Sequence, residues 1–388
     1  MQFIIVFYMM RSNLLKIIAI VFAFAQGIIG SAPFHIGLTL TTPSTGVSTS
    51  PDGRLFVLYA RGLDGSTGPQ VVEWKGNSSV PYPDEEWNSY EEGKDPATHF
   101  IRVNSQRIGP DGALWIVDPG ANFGNPVLLP DGPKVVKIDL KTNSVDRIYP
   151  MGNVTESASA LDDIRFNAAT DKAYLTDAET PGLIVLDLVT GEAQRVLGMF
   201  RIWLHAVRAN NFVDNHISTT GYMPISAEGT LMPGTYVGAD QLEVSPDHQW
   251  LYYQPSSGGM WRIETVYLDQ AFYNSSLRND LGSYVDPFAS TATSGGTAID
   301  ANGTIYVSDT DRFAVYTIAP NGTRSVLVQD PRLSWIDAMW IDSTGRLWMP
   351  SSQLNRAPFF HNGTSRFSEP FHVYVMDLDI RPSPIDHA

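Results

Sequence analysis

The sequence predicts an all-β protein built as a six-bladed β-propeller, and three observations support this fold class. A pattern of strand, turn and strand recurs six times along the 388 residues. A further β-rich segment usually follows each copy, so each repeat offers the three to four antiparallel strands of a propeller blade. No uninterrupted helical periodicity survives the 32 glycines and 26 prolines, so we expect no long helix.

The repeated unit is a β-hairpin. Turn formers such as Pro-Asp-Gly stand between two segments of alternating apolar residues, a pattern that predicts two antiparallel strands joined by a tight turn. The six hairpins span residues 46–60, 105–118, 162–177, 240–255, 296–309 and 337–350. The β-rich segments that follow them span residues 70–76, 134–150, 182–197, 259–268, 313–329 and 371–380.

The segment 34–42 has the pattern of a strand but precedes the first hairpin and belongs to no repeat. A ring of blades that is left open exposes two unpaired strand edges, which are templates for aggregation. We therefore predict that this N-terminal strand pairs with the segment 371–380 and closes the last blade. This arrangement gives a single propeller domain over residues 33–388.

Residues 1–25 predict a secretory signal peptide. Arg11 and Lys16 precede an apolar run that ends in the small-residue pattern Ala-Phe-Ala at residues 23–25. The run is short for crossing a bilayer, so we expect secretion and no membrane association after cleavage. Secreted chains carry glycans on exposed Asn-X-Ser/Thr sequons. Such sequons occur at Asn77, Asn153, Asn274, Asn302, Asn321 and Asn362.

Composition excludes several classes of function. The formal net charge is -15 and no basic run occurs, so a nucleic-acid partner is not expected. The chain contains no cysteine, which excludes disulfides, a thiolate nucleophile and cysteine-ligated zinc. An acidic surface favours cationic ligands, although it also serves solubility alone.

Several segments resemble the yellow/major royal jelly protein family. They include "QRIGPDGALWIVDPG", "SPDHQWLYYQPSSGGMWRI" and, most specifically, "LVQDPRLSWIDAMWIDSTGRLWMPSSQLNR". The resemblance spans nearly the whole predicted mature chain and implies a secreted six-bladed propeller with a ligand pocket at one mouth of the ring. The lack of cysteine departs from the insect members and points to a fungal secreted branch, which includes hetero-Diels–Alderase-like proteins.

Candidate site residues follow from the propeller geometry, because the starts of the inner strands and the loops between second and third strands surround one mouth. We predict Arg356 or Gln254 as carbonyl-polarising donors and Asp240 with Asp337 as orienting groups. Aromatic walls and further lining positions are expected at Trp335, Trp203, Phe359, Asp118, Asn122, Asp163, Asp177, Asp309 and Ser351. The repeated Asp at second-strand ends is also explained by turn capping.

Three classes of function remain open at this stage. The first is a cofactor-independent enzyme that resembles hetero-Diels–Alderases and joins a tropolone quinone methide to a sesquiterpene alkene, with small apolar or aromatic substrates and no metal or redox cofactor. The second is a non-catalytic binder of amines or terpenoids. The third is a metal-dependent lactonase, whose usual Glu, Asn and Asp ligands are replaced here by Thr45, Asp240 and Gly295.

Overall fold

The computed structural model describes residues 33–59, 66–121, 127–198, 223–227, 230–235, 237–385 and 387. The chain divides into two compact units, Met1–His35 and Ile36–Ala388. The predicted signal peptide lies outside the described residues. Within the described residues, no helix is long and apolar enough to cross a membrane.

Six four-stranded sheets form the six predicted blades of the propeller. The first strand of the chain is β1 (His35–Leu40). Blade 1 contains β2 (Ser44–Thr49), β3 (Leu55–Tyr59), β4 (Val71–Lys75) and β5 (Ser78–Pro81). Blade 2 contains β6 (Ser105–Ile108), β7 (Leu114–Asp118), β8 (Lys134–Asp139) and β9 (Ser144–Pro150). Blade 3 contains β10 (Leu161–Asn167), β11 (Lys172–Asp177), β12 (Gly182–Asp187) and β13 (Ala193–Gly198).

The second half of the chain repeats the plan after a separate hairpin, β14 (Met223–Ala227) and β15 (Thr230–Thr235). Blade 4 contains β16 (Ala239–Val244), β17 (Trp250–Pro255), β18 (Met260–Glu264) and β19 (Asp286–Ala289). Blade 5 contains β20 (Thr297–Ile299), β21 (Ile305–Asp309), β22 (Ala314–Ile318) and β23 (Arg324–Gln329). Blade 6 contains β24 (Trp340–Ile341), β25 (Arg346–Pro350) and β26 (Phe371–Asp377) from the end of the chain.

The strand β1 completes blade 6, as predicted. The order in this sheet is β1, β26, β25, β24, so the N-terminal strand lies beside the last strand of the chain. The hydroxyl of Thr39 in β1 lies 3.4 Å from Nδ1 of His372 in β26. The ring is thus closed within one sheet, and the six-bladed architecture is confirmed.

One local prediction needs correction. The segment 259–268 was expected to be a strand throughout, but β18 ends at Glu264 and helix α1 (Thr265–Tyr273) begins there. Helix α2 (Ser275–Asp280) follows, capped by the Asn274 side chain, and the outer strand β19 comes only after both helices. Short 3-10 helices occupy Pro96–Thr98, Leu281–Tyr284, Leu354–Arg356 and Pro358–His361.

Apolar side chains between neighbouring blades form the core. One cluster joins blades 6, 1 and 2 and includes Trp340, Phe56 and Ile116, each fully buried. A second joins blades 2 and 3 around Trp115 and Phe166, whose ring centroids lie 5.1 Å apart. Burial of this kind between sheets is the dominant stabilising term, and it holds each inner strand at a fixed distance from the axis.

Candidate functional site

The mouth of the ring is built on a β-bulge at the start of two inner strands. In blade 3, Leu161 pairs with Asp177 and Ile164 with Leu175, so two residues of β10 oppose one residue of β11. The two residues of this bulge are Asp162 and Asp163, opposite Thr176. Blade 4 has the same register shift. A bulge changes the direction of the side chains that it contains. The first residue of each bulge and the residue after it can therefore have different surroundings.

Four polar side chains lie at equivalent positions before or within the inner strands, namely those of Asn104, Asp162, Asp240 and Asp337, and all four are partly exposed. Asn104 Nδ2 donates a hydrogen bond of 2.6 Å to Asp162 Oδ1. The carboxyl groups of Asp162 and Asp240 are close enough for each to affect the pKa of the other. The hydroxyl of Ser256 donates to Asp240 Oδ2. We call Asn104, Asp162, Asp240 and Asp337 the mouth ring.

The mouth ring binds protons strongly. Burial and the neighbouring Asp163 carboxylate raise the pKa of Asp162 to about 7. Burial, followed by the charges of Asp162 and Asp337, raises the pKa of Asp240 well above its usual range. Burial also raises the pKa of Asp337, although a hydrogen bond from Ser352 opposes the shift. Two neighbouring carboxyls whose pKa values are both raised by burial hold one proton between them near neutral pH.

The second bulge residue of blade 3 behaves differently. Asp163 is buried, accepts a hydrogen bond of 2.7 Å from the Ser105 hydroxyl, and lies 2.7 Å from Arg165 Nη1. Burial alone would raise the pKa of Asp163, but the charges of Arg165 and Arg107 outweigh burial and lower it. The bulge therefore places an ionised carboxylate directly beside one that holds a proton.

A layer of buried charges fills the channel beneath the mouth ring. Arg165 donates two hydrogen bonds, of 2.9 and 2.8 Å, to the carboxylate of Glu243, and both side chains are almost fully buried. Thr297 of blade 5 donates a hydrogen bond of 2.8 Å to the same carboxylate. Arg107 of blade 2 donates to the Met339 carbonyl at 3.2 Å. We call this layer the channel floor, because Arg107, Arg165 and Glu243 lie one step further along the inner strands than the mouth-ring residues.

Trp335 lies at the rim of the mouth in blade 6. Its side chain is 5% exposed and packs against Leu354 and Phe360. Its φ of 53° lies in the left-handed region, and its carbonyl accepts hydrogen bonds from the Ser352 amide and hydroxyl, both at 3.1 Å. A Cβ on Gly295 would lie 2.9 Å from the indole nitrogen, so a larger residue there would collide with the ring.

The second-strand Asp of blade 2, Asp118, organises the segment that leads into β6. Its carboxylate accepts hydrogen bonds from the amides of Ile101 at 2.7 Å, Arg102 at 3.1 Å and Gly120 at 2.9 Å. It also bonds the buried ammonium of Lys134 at 2.9 Å. All of the hydrogen bonds described for this carboxylate hold the local backbone or Lys134, which agrees with a turn-capping role.

The corresponding residues of blades 3 and 5 share part of this role. Asp177 accepts a hydrogen bond of 2.9 Å from the Ala160 amide and pairs with Arg195. Asp309 accepts from the Arg312 amide at 3.0 Å. Its Oδ2 is buried and has no hydrogen-bond partner within the described residues.

The two predicted carbonyl donors lie in different surroundings. Gln254 is fully buried, donates to Gln241 Oε1 at 3.1 Å and accepts from the Thr291 hydroxyl at 2.8 Å. Arg356 is partly exposed and donates to Gln353 Oε1 at 2.9 Å. Neither donor is hydrogen-bonded to the mouth ring, and their predicted roles stay predictions.

The remaining predicted site residues are scattered. The Ser351 hydroxyl donates to the Ser334 carbonyl at 2.9 Å. Phe359 is 70% exposed and meets Phe360 edge-on, with ring centroids 5.0 Å apart. Asn122 and Trp203 lie outside the described residues.

Sequence reasoning missed the channel floor and one rim residue. Arg107, Arg165 and Glu243 each follow a mouth-ring residue by three positions, inside an inner strand. A charge repeated at this spacing in successive inner strands is a usable signal, because such a residue has to face the axis. Arg102 gave no such signal. Within the described residues, no cluster of three or more His, Asp and Glu side chains has the geometry of a metal site.

A six-bladed propeller with an acidic, proton-holding mouth above a charged floor is the class of protein that the fold and the site define. The chain belongs to the major royal jelly protein family, whose model matches residues 105–369. No curated protein matches the chain significantly.

Comparison with solved structures shows the propeller fold alone. A gluconolactonase of Xanthomonas campestris is 13% identical over 90% of this chain and 90% of that protein, with a TM-score of 0.53. A luciferin-regenerating enzyme is 11% identical over 90% of this chain and 96% of that protein, with a TM-score of 0.51. An extracellular domain from Bacteroides thetaiotaomicron is 10% identical over 88% of this chain, which spans only 39% of that protein, with a TM-score of 0.43.

Proposed function

We propose that the protein is a cofactor-independent enzyme that catalyses a hetero-Diels–Alder cycloaddition between a tropolone quinone methide and a sesquiterpene alkene. The neighbouring carboxyls of Asp162 and Asp240, both with raised pKa values and held by Asn104 and Ser256, support this proposal. A carboxyl that keeps its proton near neutral pH is a hydrogen-bond donor, and this reaction needs a donor on the carbonyl of the heterodiene.

The reaction balances without any other participant. The four-atom C=C–C=O unit of the quinone methide adds to the alkene C=C, forming one C–C bond and one C–O bond while the double bonds reorganise. No atom leaves and no electron is transferred to or from the protein. The carboxyl proton of the Asp162 and Asp240 pair stays on the protein; when the substrate binds, the O–H turns from the neighbouring carboxyl to the substrate carbonyl, which it polarises by hydrogen bonding.

The surroundings of the pair suit two organic partners. Trp335 with Leu354 and Phe360 supplies an apolar face at the rim. Holding both partners in a reactive orientation lowers the entropic part of the barrier, which is the main contribution that a protein makes to such a reaction. This proposal moves the carbonyl-polarising role from Arg356 or Gln254, the predicted donors, to the Asp162 and Asp240 pair, while Asp337 keeps its predicted orienting role.

Incubation of purified protein with a tropolone quinone-methide precursor and a humulene-type alkene tests the proposed reaction. We expect a changed yield or stereochemistry of the adduct relative to the blank. Asp240→Ala should reduce the enzyme-dependent adduct by about tenfold or more, since removing one preorganised donor has effects of this size. Asp379→Ala, at an exposed aspartate, is the matched control. Identical products with and without protein would contradict the proposal.

Binding of small amines is the second candidate, and the three carboxyls of the mouth ring favour it. An ammonium ligand binds ionised carboxylates, so its affinity should rise as the pH increases through about 7, the pKa of Asp162. Cycloaddition needs the protonated pair, so its rate should fall over the same range. Titration calorimetry with tyramine at pH 6 and pH 8, beside adduct formation at the same two values, separates the two functions.

We also propose that the protein is secreted and glycosylated. All six sequon asparagines are exposed on the propeller surface, which supports access for the glycosylation machinery. Asn274 also caps helix α2 through its side-chain oxygen, which accepts from two amides at 3.0 and 3.2 Å, so a glycan there would compete with the cap.

A further inference from the structure

Arg102 is a cationic side chain at the mouth with no assigned role. It lies two residues before Asn104, and Asp118 fixes its backbone by accepting the amides of Ile101 and Arg102. The charges of Asp118, Asp162 and Glu179 act on its guanidinium. Arg102 is therefore held beside the mouth ring by a rigid segment.

The guanidinium of Arg102 has spare hydrogen-bonding capacity. Its Nε is buried and has no hydrogen-bond partner within the described residues. Asp118 is occupied by three amides and Lys134, and Asp162 by Asn104 and Asp240. Arg102 is partly exposed, but a buried Nε–H without an acceptor is destabilising, so its retention needs a compensating reason.

Comparison of the blades shows that a side chain of this size is unusual at this position. In blades 3 to 6 an equivalent residue lies two places before the mouth-ring residue, or before Gly295 in blade 5. Its carbonyl accepts a hydrogen bond from a backbone amide just after the second strand. In blade 2 the donor would be Pro119, which has no amide hydrogen. The six equivalent residues are Pro43, Arg102, Ala160, Gly238, Thr293 and Trp335. Only Arg102 and Trp335 present large side chains, one charged and one aromatic.

We propose that Arg102 positions the substrate by binding two adjacent, coplanar oxygen atoms, as in an α-hydroxyketone such as the tropolone ring. The planar fork of a guanidinium matches such a pair of oxygens with two parallel hydrogen bonds. The proposal rests on the function proposed above and names the residue that orients its oxygenated partner. The Asp162 and Asp240 pair then addresses the heterodiene carbonyl, while the rim aromatic Trp335 contacts the ring.

Binding of tropolone and tropone, measured by titration calorimetry without any alkene, tests the inference. Tropone has the same ring but only one oxygen. We expect the protein to prefer tropolone, and Arg102→Gln to reduce tropolone affinity by about 10- to 100-fold while leaving tropone binding little changed. Arg102→Lys keeps the charge but not the fork and should recover only part of the loss. Arg332→Gln, at an arginine 47% exposed, is the control for loss of one positive charge.

The outcome separates this inference from the proposed reaction. If Arg102→Gln keeps the preference for tropolone while adducts still form, the role of Arg102 is wrong and the reaction stands. If tropolone binds through Arg102 but no adduct forms, the inference stands and the reaction is wrong. Thermal melting of each variant confirms that a lost preference does not result from unfolding.

Discussion

Burial raises the pKa of both Asp162 and Asp240, and Asp162 makes the ionisation of Asp240 less favourable still. In an unfolded chain the pKa of both carboxyls is about 3.9. The folded mouth raises both pKa values, that of Asp162 to about 7. A folded pKa above the unfolded value means that the folded state holds the proton more tightly. The contribution of the pair to stability is therefore greatest below the unfolded pKa and is lost as the pH rises from about 4 through 7.

Asp240→Asn should stabilise the fold at high pH. The amide removes the like-charge repulsion and can still donate a hydrogen bond to Asp162. We expect the gain in free energy of unfolding to be larger at pH 8 than at pH 5, by on the order of 2 kcal/mol. Urea denaturation of both proteins at the two pH values measures this difference. Asp379→Asn should change the free energy of unfolding equally at pH 5 and pH 8. If Asp240→Asn also had the same effect at both pH values, protonation of the pair would not be linked to stability.

At the scale of one blade, the Asp118 and Lys134 pair joins a second strand to a third and holds the segment before the inner strand. Both side chains are at most 1% exposed. Neither charge is solvated, so each depends on the other and on backbone groups such as the Pro96 carbonyl, which Lys134 bonds at 2.9 Å. This pair therefore gives blade 2 its geometry at the mouth.

Asp118→Asn should destabilise the protein strongly, because it leaves Lys134 as a buried, uncompensated charge. Loss of one partner of a buried pair is expected to reduce the free energy of unfolding by about 3–5 kcal/mol. Asp146→Asn removes the partner of Lys137 in a pair that is 51% and 25% exposed, and should have an effect of about 0–1 kcal/mol. Chemical denaturation compares the two. If both variants lose a similar free energy of unfolding, burial does not make the Asp118 and Lys134 pair more important for stability than an exposed pair.

The blades also show what the sequence could predict. The turn between β2 and β3 was predictable from "SPDG", and Gly53 indeed takes a φ of 87° there. Local turn chemistry and alternation are sufficient for a hairpin. The fourth strand of blade 4 was not predictable, because helices α1 and α2 separate it from its partner β18. The bulge at Asp162 and Asp163 depends on strand register, which alternation alone does not specify.

The whole ring brings together residues that are far apart in the chain. Arg107 donates to the Met339 carbonyl across 232 positions, and Arg165 bonds Glu243 across 78 positions. The mouth-ring carboxyls Asp240 and Asp337 were predicted individually because six strand starts converge on one axis. The floor beneath them and the proton shared between Asp162 and Asp240 depend on distances between blades, which no local pattern encodes.

Closure of the ring depends on β1, and Gly37 tests it. A Cβ at this position would lie 2.4 Å from Cγ2 of Val375 in β26 and 3.1 Å from the Trp348 ring in β25. Val375 is 1% exposed and has no room to move away. Gly37→Ala should therefore separate β1 from the last blade and reduce the free energy of unfolding by about 1–3 kcal/mol, as overpacking does elsewhere.

The matched control for closure is Gly152→Ala, because a Cβ on Gly152 would meet no atom within 4 Å. Urea denaturation should show a lower midpoint for Gly37→Ala alone. Light scattering should also increase for that variant, since a displaced β1 exposes the edge of β26 to other chains. If both glycine variants unfold at the same urea concentration and remain monodisperse, β1 is not what keeps the ring closed, and the mouth would have to be maintained by contacts between blades such as the Arg165 and Glu243 pair.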